Sequence, residues 1–291
     1  KNFATGINLN NASNTVIVNN VINSNSITDI NINNSFACTV RGCLIGTDNN
    51  GNSLGSPSSI VISGTVAFGV SNIIIGNTIC TTNIGVSVNE YIGNSIKQNV
   101  IYGNCATTAI RLFSNGNNNK TAPVINNPHG GTNAFAFVGD TIELFGSIGG
   151  ANANEYLGKS VVNKNGAWNV NYSPKQFLPY IVATATDANG NTSAISSFFS
   201  ASSNFSINTA QDITICSGVN TTLSASLINN SGAAIANISY LWSPSDGLNT
   251  TTGNHVICNT TQNTSYVVTA TSLQNTCIGA MERTQTINVN V

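Results

Sequence analysis

Charge is what this sequence has least of. Lys, Arg, Asp and Glu make up 7% of its 291 residues, against about 25% in ordinary soluble domains. Solubility therefore falls to Asn, Ser, Thr and Gly. The formal net charge of −1 provides no basic footprint, which argues against nucleic acid as a partner. No run of about 18 apolar residues occurs, so no helix that inserts into a membrane is expected. The Ala/Glu/Lys/Leu stretches of long helices are missing, while β-branched residues, Asn and Gly abound, which predicts an all-β chain. Metal-ligand spacing is missing as well. The seven cysteines are Cys38, Cys43, Cys80, Cys105, Cys216, Cys258 and Cys277, and they never form paired zinc-type spacings. We therefore expect no metal and no cofactor, and read the cysteines as disulfide formers in an oxidising compartment. The odd count leaves at least one thiol free or paired outside the chain.

What is present is a repeat. Asn14-Thr-Val16-Ile-Val-Asn19-Asn-Val21, Cys38-Thr-Val40-Arg-Gly-Cys43-Leu-Ile45, Asn72-Ile-Ile74-Ile-Gly-Asn77-Thr-Ile79 and Asn94-Ser-Ile96-Lys-Gln-Asn99-Val-Ile101 share one pattern, at intervals of 24, 34 and 22 residues. β-branched residues at fixed offsets in a period of this length predict a coiling solenoid, here a parallel β-helix. Val16, Val40, Ile74 and Ile96 are expected in one internal column, and Val21, Ile45, Ile79 and Ile101 in a second. Asn14, Asn19, Asn72, Asn77, Asn94 and Asn99 are expected at the bends between strands, where Asn tolerates left-handed backbone and bonds neighbouring amides. Runs such as Asp29-Ile-Asn-Ile32, Gly85-Val-Ser-Val88 and Ala109-Ile-Arg-Leu112 supply another strand of each coil, and Gly46–Pro57 reads as a loop swelling out of one turn. The stretches "IGTDNNGNSLG" and "N-x-I-x-x-N-x-I-x-G-N" resemble the repeats of secreted bacterial right-handed β-helix proteins over roughly residues 6–125. The chain begins inside this repeat, and we expect a piece of something longer whose N-terminal cap is missing.

Two further modules follow the helix of residues 1–120. Residues 121–201 hold Thr141–Phe145, Gly158–Val162, Ala167–Tyr172 and Tyr180–Thr186, alternating runs separated by Gly/Asn turns, which predict a β-sandwich. "VATATDANGNTSAIS" is similar to Ig-like modules of bacterial surface proteins. Trp168 is expected as its core anchor. Residues 202–291 carry Ile215-Cys216-Ser-Gly218, Tyr240-Leu-Trp242-Ser-Pro244 and Thr264-Ser-Tyr266-Val-Val-Thr-Ala270. This resembles the PKD-like or Ig-like modules of secreted Bacteroidetes proteins. That resemblance implies a Cys216–Cys277 disulfide beside Trp242, an extracellular or cell-surface location and the type IX secretion route. Cys258 reads as a strand interior. Cys38 and Cys43 admit two readings, small residues filling a column or a disulfide across the bend. Cys80 and Cys105, about one coil apart, are a third candidate pair.

A catalytic constellation is hard to assemble. The helix offers Asp29, Asp48 and Glu90 at different offsets of the repeat, and no offset stacks the two acids that glycoside hydrolysis needs. Arg41 and Arg111 are also out of step. Asp48-Asn-Asn-Gly-Asn52 and Asp187-Ala-Asn-Gly-Asn191 begin like calcium loops, yet the twelfth positions are Ser59 and Phe198, not Glu. Both read as turns, and His129 and His255 as surface residues. Asp140-Thr141-Ile142 matches a short O-glycosylation motif at Thr141. The expected function is a non-catalytic structural or adhesive segment of a large surface protein: a stalk, filament or adhesin. Its expected partners are other surface proteins, further copies of itself, or glycans. The alternative is a β-helix that binds or degrades polysaccharide.

Overall fold

A computed structural model describes residues 4–50, 52–64, 72–103, 108–127, 129–132, 137–149, 151–201, 205–272 and 281–291. The described chain is built from strands with a single short 3-10 turn. It falls into two compact units, Lys1–Tyr172 with Pro179–Ala201, and Ser173–Leu178 with Ser202–Val291.

The first unit opens with a parallel β-helix of three strands per coil. The coils are β1 (Thr5–Asn10), β2 (Val16–Val18) and β3 (Val21–Ile22); β4 (Thr28–Asn33), β5 (Thr39–Arg41) and β6 (Leu44–Ile45); β7 (Ser58–Ser63), β8 (Ile73–Ile75) and β9 (Thr78–Thr81); and β10 (Ile84–Asn89), β11 (Ser95–Lys97) and β12 (Val100–Gly103). A fifth begins with β13 (Thr108–Phe113). Like strands stack in order, making three parallel sheets around one core. Val40, Ile74 and Ile96 form an internal column, and Ile45, Ile79 and Ile101 form another, as expected.

The first coil departs from the expectation by one residue. Ile17, not Val16, stacks on Val40, and Ile22, not Val21, stacks on Ile45. Because side chains alternate faces along a strand, that slip turns Val16 and Val21 to solvent, 57% and 52% exposed, and buries Ile17 and Ile22.

The middle module contains β14 (Gly130–Thr132), β15 (Thr141–Ser147), β16 (Glu155–Val161), β17 (Ala167–Asn169), β18 (Tyr180–Thr186) and β19 (Phe199–Ser200). β16-β15-β18-β19 form one antiparallel sheet and β14-β17 a ribbon. Ile142, Leu144, Ile181, Ala183 and Ala185 face a core shared with Trp168, the anchor the sequence reading placed there. The opposite face of the sheet is buried too. Phe145 and Val182 pack with Ala153, and Ile195 reaches the β-helix core itself. The sheet therefore closes the end of the solenoid. Ile101 and Ala153 exchange backbone hydrogen bonds of 2.8 and 2.9 Å, Ala109 N–H donates to Ala151 O, and Ile96 N–H donates to the Thr192 hydroxyl. These contacts pair the strand edges that the last coil leaves open, the recurrent liability of a solenoid.

The second unit is a sandwich of β20 (Phe205–Thr209), β21 (Ile213–Thr214), β22 (Thr221–Asn229), β23 (Ile238–Ser243), β24 (His255–Cys258), β25 (Thr264–Ser272) and β26 (Glu282–Asn290). One sheet runs β20-β22-β24 and the other β21-β26-β25-β23, with β21 parallel to β26. Strands β20 to β25 alternate between the two sheets, and β25 and β26 then form a hairpin within the second. Trp242 on β23 is 1% exposed, and its indole N–H donates to Gly253 O at 2.8 Å. Tyr266, near the start of β25, donates its hydroxyl to Asp246 O at 2.6 Å. Burial pushes that phenol up to about 12.

Candidate functional site

The Asn positions resolve into two different jobs. Asn14 and Asn19 are exposed left-handed turn residues, each with φ of +54°. Asn19 shares its row with Gly42, Gly76 and Gln98, all left-handed as well. Asn72, Asn77, Asn94 and Asn99 instead lie inside, no more than 2% exposed. There they stack amide on amide. The Asn72 Nδ2 donates to Asn94 Oδ1 at 3.0 Å, and Asn94 Nδ2 donates to Asn117 Oδ1 at 3.3 Å. In the parallel stack, Asn77 Nδ2 donates to Asn99 Oδ1 at 2.9 Å and to Val40 O at 3.0 Å, while Asn99 Nδ2 donates to Ile74 O at 2.8 Å. Each amide thus satisfies backbone groups that a tight interior bend would otherwise orphan. Asn117, which the sequence reading did not single out, ends the first stack. Its side chain reaches Asn94 O and Thr192 O at 2.8 Å each.

Cys38 and Cys43 occupy the next positions of these two stacks. Their backbone N–H groups donate to Asn72 Oδ1 and Asn77 Oδ1 at 3.0 and 2.9 Å. Both are buried free thiols, so the column-filling arrangement is the one formed and the bend disulfide is not. Their S–H groups find carbonyl acceptors, Phe36 O for Cys38 and Arg41 O for Cys43. Cys80 is also a buried free thiol, and its predicted mate Cys105 lies outside the described residues.

The Cys216 pairing needs correction. Cys216 is an exposed free thiol, and Cys277 lies outside the described residues. Cys216 follows β21, which pairs with the Val289–Asn290 end of β26. The immunoglobulin disulfide sits two residues past the corner tyrosine, and here that place is Val268, buried with Leu223 and Trp242. Cys258, a strand interior as read, shares that cluster and donates its S–H to the Tyr266 hydroxyl at 3.5 Å.

Asp29, Asp48 and Asp187 are each committed to local hydrogen bonds. Asp29 is buried, accepting from Asn25 Nδ2 at 2.8 Å and the Ser56 hydroxyl at 2.9 Å. Burial raises its pKa, partly offset by those donors. Asp48 Oδ1 accepts the N–H groups of Asn50 and Asn52, and Asp187 Oδ1 those of Asn189 and Asn191. Asn163 and Asn229 cap two further turns in the same way. These bonds make Asx turns. Glu90 sits at a left-handed turn position, φ +59°. No group of three or more His, Cys, Asp or Glu side chains placed to hold a metal occurs among the described residues. Thr141 opens β15, half-buried between Val161 and Thr186.

One acid went unnoticed in the sequence. Glu143 lies on the face of β15 that meets the β-helix, fully buried, with Oε2 accepting Gln98 N–H at 2.8 Å. Its Oε1 has no hydrogen-bond partner among the described residues. Burial raises its pKa above the ordinary 4.5, against the Gln98 bond and the charges of Lys97 and Lys159. Its charge in turn helps burial push neighbouring Tyr156 up to about 12. A carboxyl whose folded pKa is raised binds protons more readily folded than unfolded. Stability is therefore lost as pH rises from 4.5 through the folded value. We expect the first unit to melt higher at pH 4.5 than at pH 8. Glu143→Gln, which keeps an acceptor for Gln98 and carries no charge, should flatten that dependence and stabilise at pH 8 by about 1–3 kcal/mol, the usual cost of a buried group left unpaired. Asp29, also raised by burial, contributes a slope of the same sign that persists in the variant. Thermal melts of both proteins from pH 4.5 to 8 decide the matter. A lower melting temperature for the variant at pH 8 counts against it.

At the exit from the helix a cleft of about 530 Å³ is lined by Asn118, Asn119, Lys120, Phe137, Asp140 and Asp187, among others. Lys120 Nζ pairs with Asp140 Oδ2 at 2.7 Å, both side chains nearly inaccessible. The same carboxylate accepts Phe137 N–H at 2.9 Å. Asn117, Asn118 and Asn119 form a left-handed turn on one wall, with φ of +47°, +56° and +46°.

No family model matches the chain, and no curated protein matches it. Among solved structures it is similar to Sidekick-1 immunoglobulin domains 1–5, at 14% identity and a TM-score of 0.22, over 52% of this chain and 34% of that one. Drosophila OTK, extracellular domains 3–5, matches at 9% identity and 0.23, over 52% and 54%. The three N-terminal domains of the bacteriophage RB49 highly immunogenic outer capsid protein match at 15% and 0.22, over 52% and 48%. The chain thus spans about a third to a half of the length of these structures. At such scores the fold description rests on this chain's own strand order.

Proposed function

We propose that this chain is a non-catalytic structural or adhesive segment of a large extracellular bacterial protein, a stalk, filament or adhesin element. Its partners on this reading are other surface proteins or further copies of the same protein. The observation that carries the reading is the solenoid braced inside by stacked Asn amides and closed at its end by the middle sheet. Every coil is hydrogen-bonded to the next through three parallel sheets, so an extending force meets many bonds at once. The polar, nearly uncharged composition and the resemblance to secreted β-helix and Ig-like modules support an extracellular setting. The hydrogen-bond commitments of Asp29 and Asp48 favour this over polysaccharide cleavage. The purified chain should leave polygalacturonate and alginate uncut. Cleavage that disappears on Asp48→Ala or Glu90→Ala would overturn the reading.

A further inference from the structure

We infer that the cleft at the helix exit binds a neutral saccharide, with Phe137 as its stacking platform. Phe137 and Val138 are 65% and 63% exposed and adjacent in the chain. Two neighbouring apolar side chains are thus left in water beside a polar rim. The rim is made of Asn118, Asn119, Thr121 and Asn189, which offer planar amides and a hydroxyl. The cleft volume of about 530 Å³ falls within the roughly 300–1,000 Å³ of small-ligand sites. A sugar ring presents just this combination, an apolar C–H face for an aromatic ring and hydroxyls for amide donors and acceptors.

The charges select for neutrality. Lys120 is the lining cation, and Asp140 neutralises it at 2.7 Å. Its ammonium lies 4.7 Å from the Phe137 ring centroid, which holds the ring in place by a cation–π contact. Asp187 spends its Oδ1 on two backbone N–H groups and its Oδ2 on Asn191 Nδ2 at 2.9 Å. Neither an uncompensated cation for a carboxylated or sulfated glycan nor a free acid for an amine is therefore offered by the lining residues. The amide part of the lining is pre-set. Asn117 is pinned by the amide stack at Asn94 and by Thr192, and that anchor fixes the left-handed turn carrying Asn118 and Asn119. A wall fixed in advance loses little entropy on binding.

This inference adds a ligand to the adhesive side of the proposed function. Cleavage tests that reading, whereas binding without cleavage tests this site. The full chain would be titrated by calorimetry with a panel of neutral trisaccharides (maltotriose, cellotriose, laminaritriose, mannotriose, xylotriose and chitotriose) and with oligogalacturonate as the charged comparison. At least one should bind, and Phe137→Ala should weaken it about tenfold or more, the equivalent of 1.4 kcal/mol. Asn189→Ala should weaken it as well. Phe137 is exposed, so its replacement should leave the melting temperature unchanged, and binding loss then reports on the site. The inference is overturned by no binding across the panel, by binding indifferent to Phe137→Ala, or by binding of oligogalacturonate alone.

Discussion

Replacing Asn77 by Ala should lower the stability of the first unit by about 3–5 kcal/mol, since each buried group stripped of its partner costs about 1–3 kcal/mol. Asn77 is 1% exposed and its side chain makes three hydrogen bonds. Its oxygen accepts Cys43 N–H in the preceding coil, and its nitrogen serves Val40 O and Asn99 Oδ1. Alanine leaves all three without that partner, in a bend too tight for a substitute side chain to reach them. Asn77→Asp should fare no better at neutral pH. Its carboxylate can accept from Cys43 but turns a second oxygen toward Val40 O and Asn99 Oδ1, which are both acceptors. Asn20 is the control. It occupies the same row in the first coil, where its Nδ2 donates at 2.9 Å to Val18 O of its own coil from an exposed position. Asn20→Ala should shift stability by less than about 1 kcal/mol. Thermal unfolding of the three variants checks the order. An Asn77→Ala protein as stable as Asn20→Ala would mean that the stack is ornamental.

The two jobs of Asn explain much of what the sequence could and could not reveal. Period and offset were enough to place Val40, Ile74 and Ile96 in one column. They were not enough in the first coil, because Val16-Ile17-Val18 and Val21-Ile22 are β-branched on both faces and alternation gives no vote. An Asn at a bend suits a left-handed turn and an interior amide stack equally well, so Asn14 and Asn19 looked equivalent to Asn72 and Asn77. Only the register separates them. Asn20 and Asn117, the true members of those rows, were passed over for the same reason.

The middle module was legible as strands but not as a lid. Its signal was present in Ile142-Glu-Leu-Phe145 and Tyr180-Ile-Val-Ala-Thr-Ala-Thr186. In neither run does a clear polar face alternate with an apolar one, as a sheet with a solvent side would require. β15 and β18 are buried on both faces, one on the sandwich core and one on the helix end. Glu143 stood out as an acid in such a strand and should have been read as facing a partner. The Cys216–Cys277 expectation failed for a different reason. It followed family resemblance, whereas Cys216 is an exposed free thiol just past β21. Trp242 was correctly placed in the core, but its sulfur neighbour is Cys258.

Gly46→Ala should be the most damaging small substitution in the β-helix, at roughly 3 kcal/mol or more, the range of overpacking combined with backbone strain. Gly46 has φ of +66° and opens the long loop that swells out of the second coil. A β-carbon there would run into the carbonyl oxygen of Cys80 in the coil above, and Gly55, where the loop returns, abuts the same carbonyl. The obstacle is backbone, which cannot swing aside without breaking the stacking of Ile45 on Ile79. Gly76 isolates the other half of the effect. Its φ of +63° is nearly the same, yet an added β-carbon would have nothing within 4 Å. Its row already tolerates Asn19 and Gln98 at φ of +54° each. Gly76→Ala should therefore cost only the left-handed backbone penalty, about 1–2 kcal/mol. The difference between the two variants in urea unfolding measures the clash alone. Equal losses would show that left-handed strain, rather than the close approach of Cys80, is what reserves position 46 for glycine.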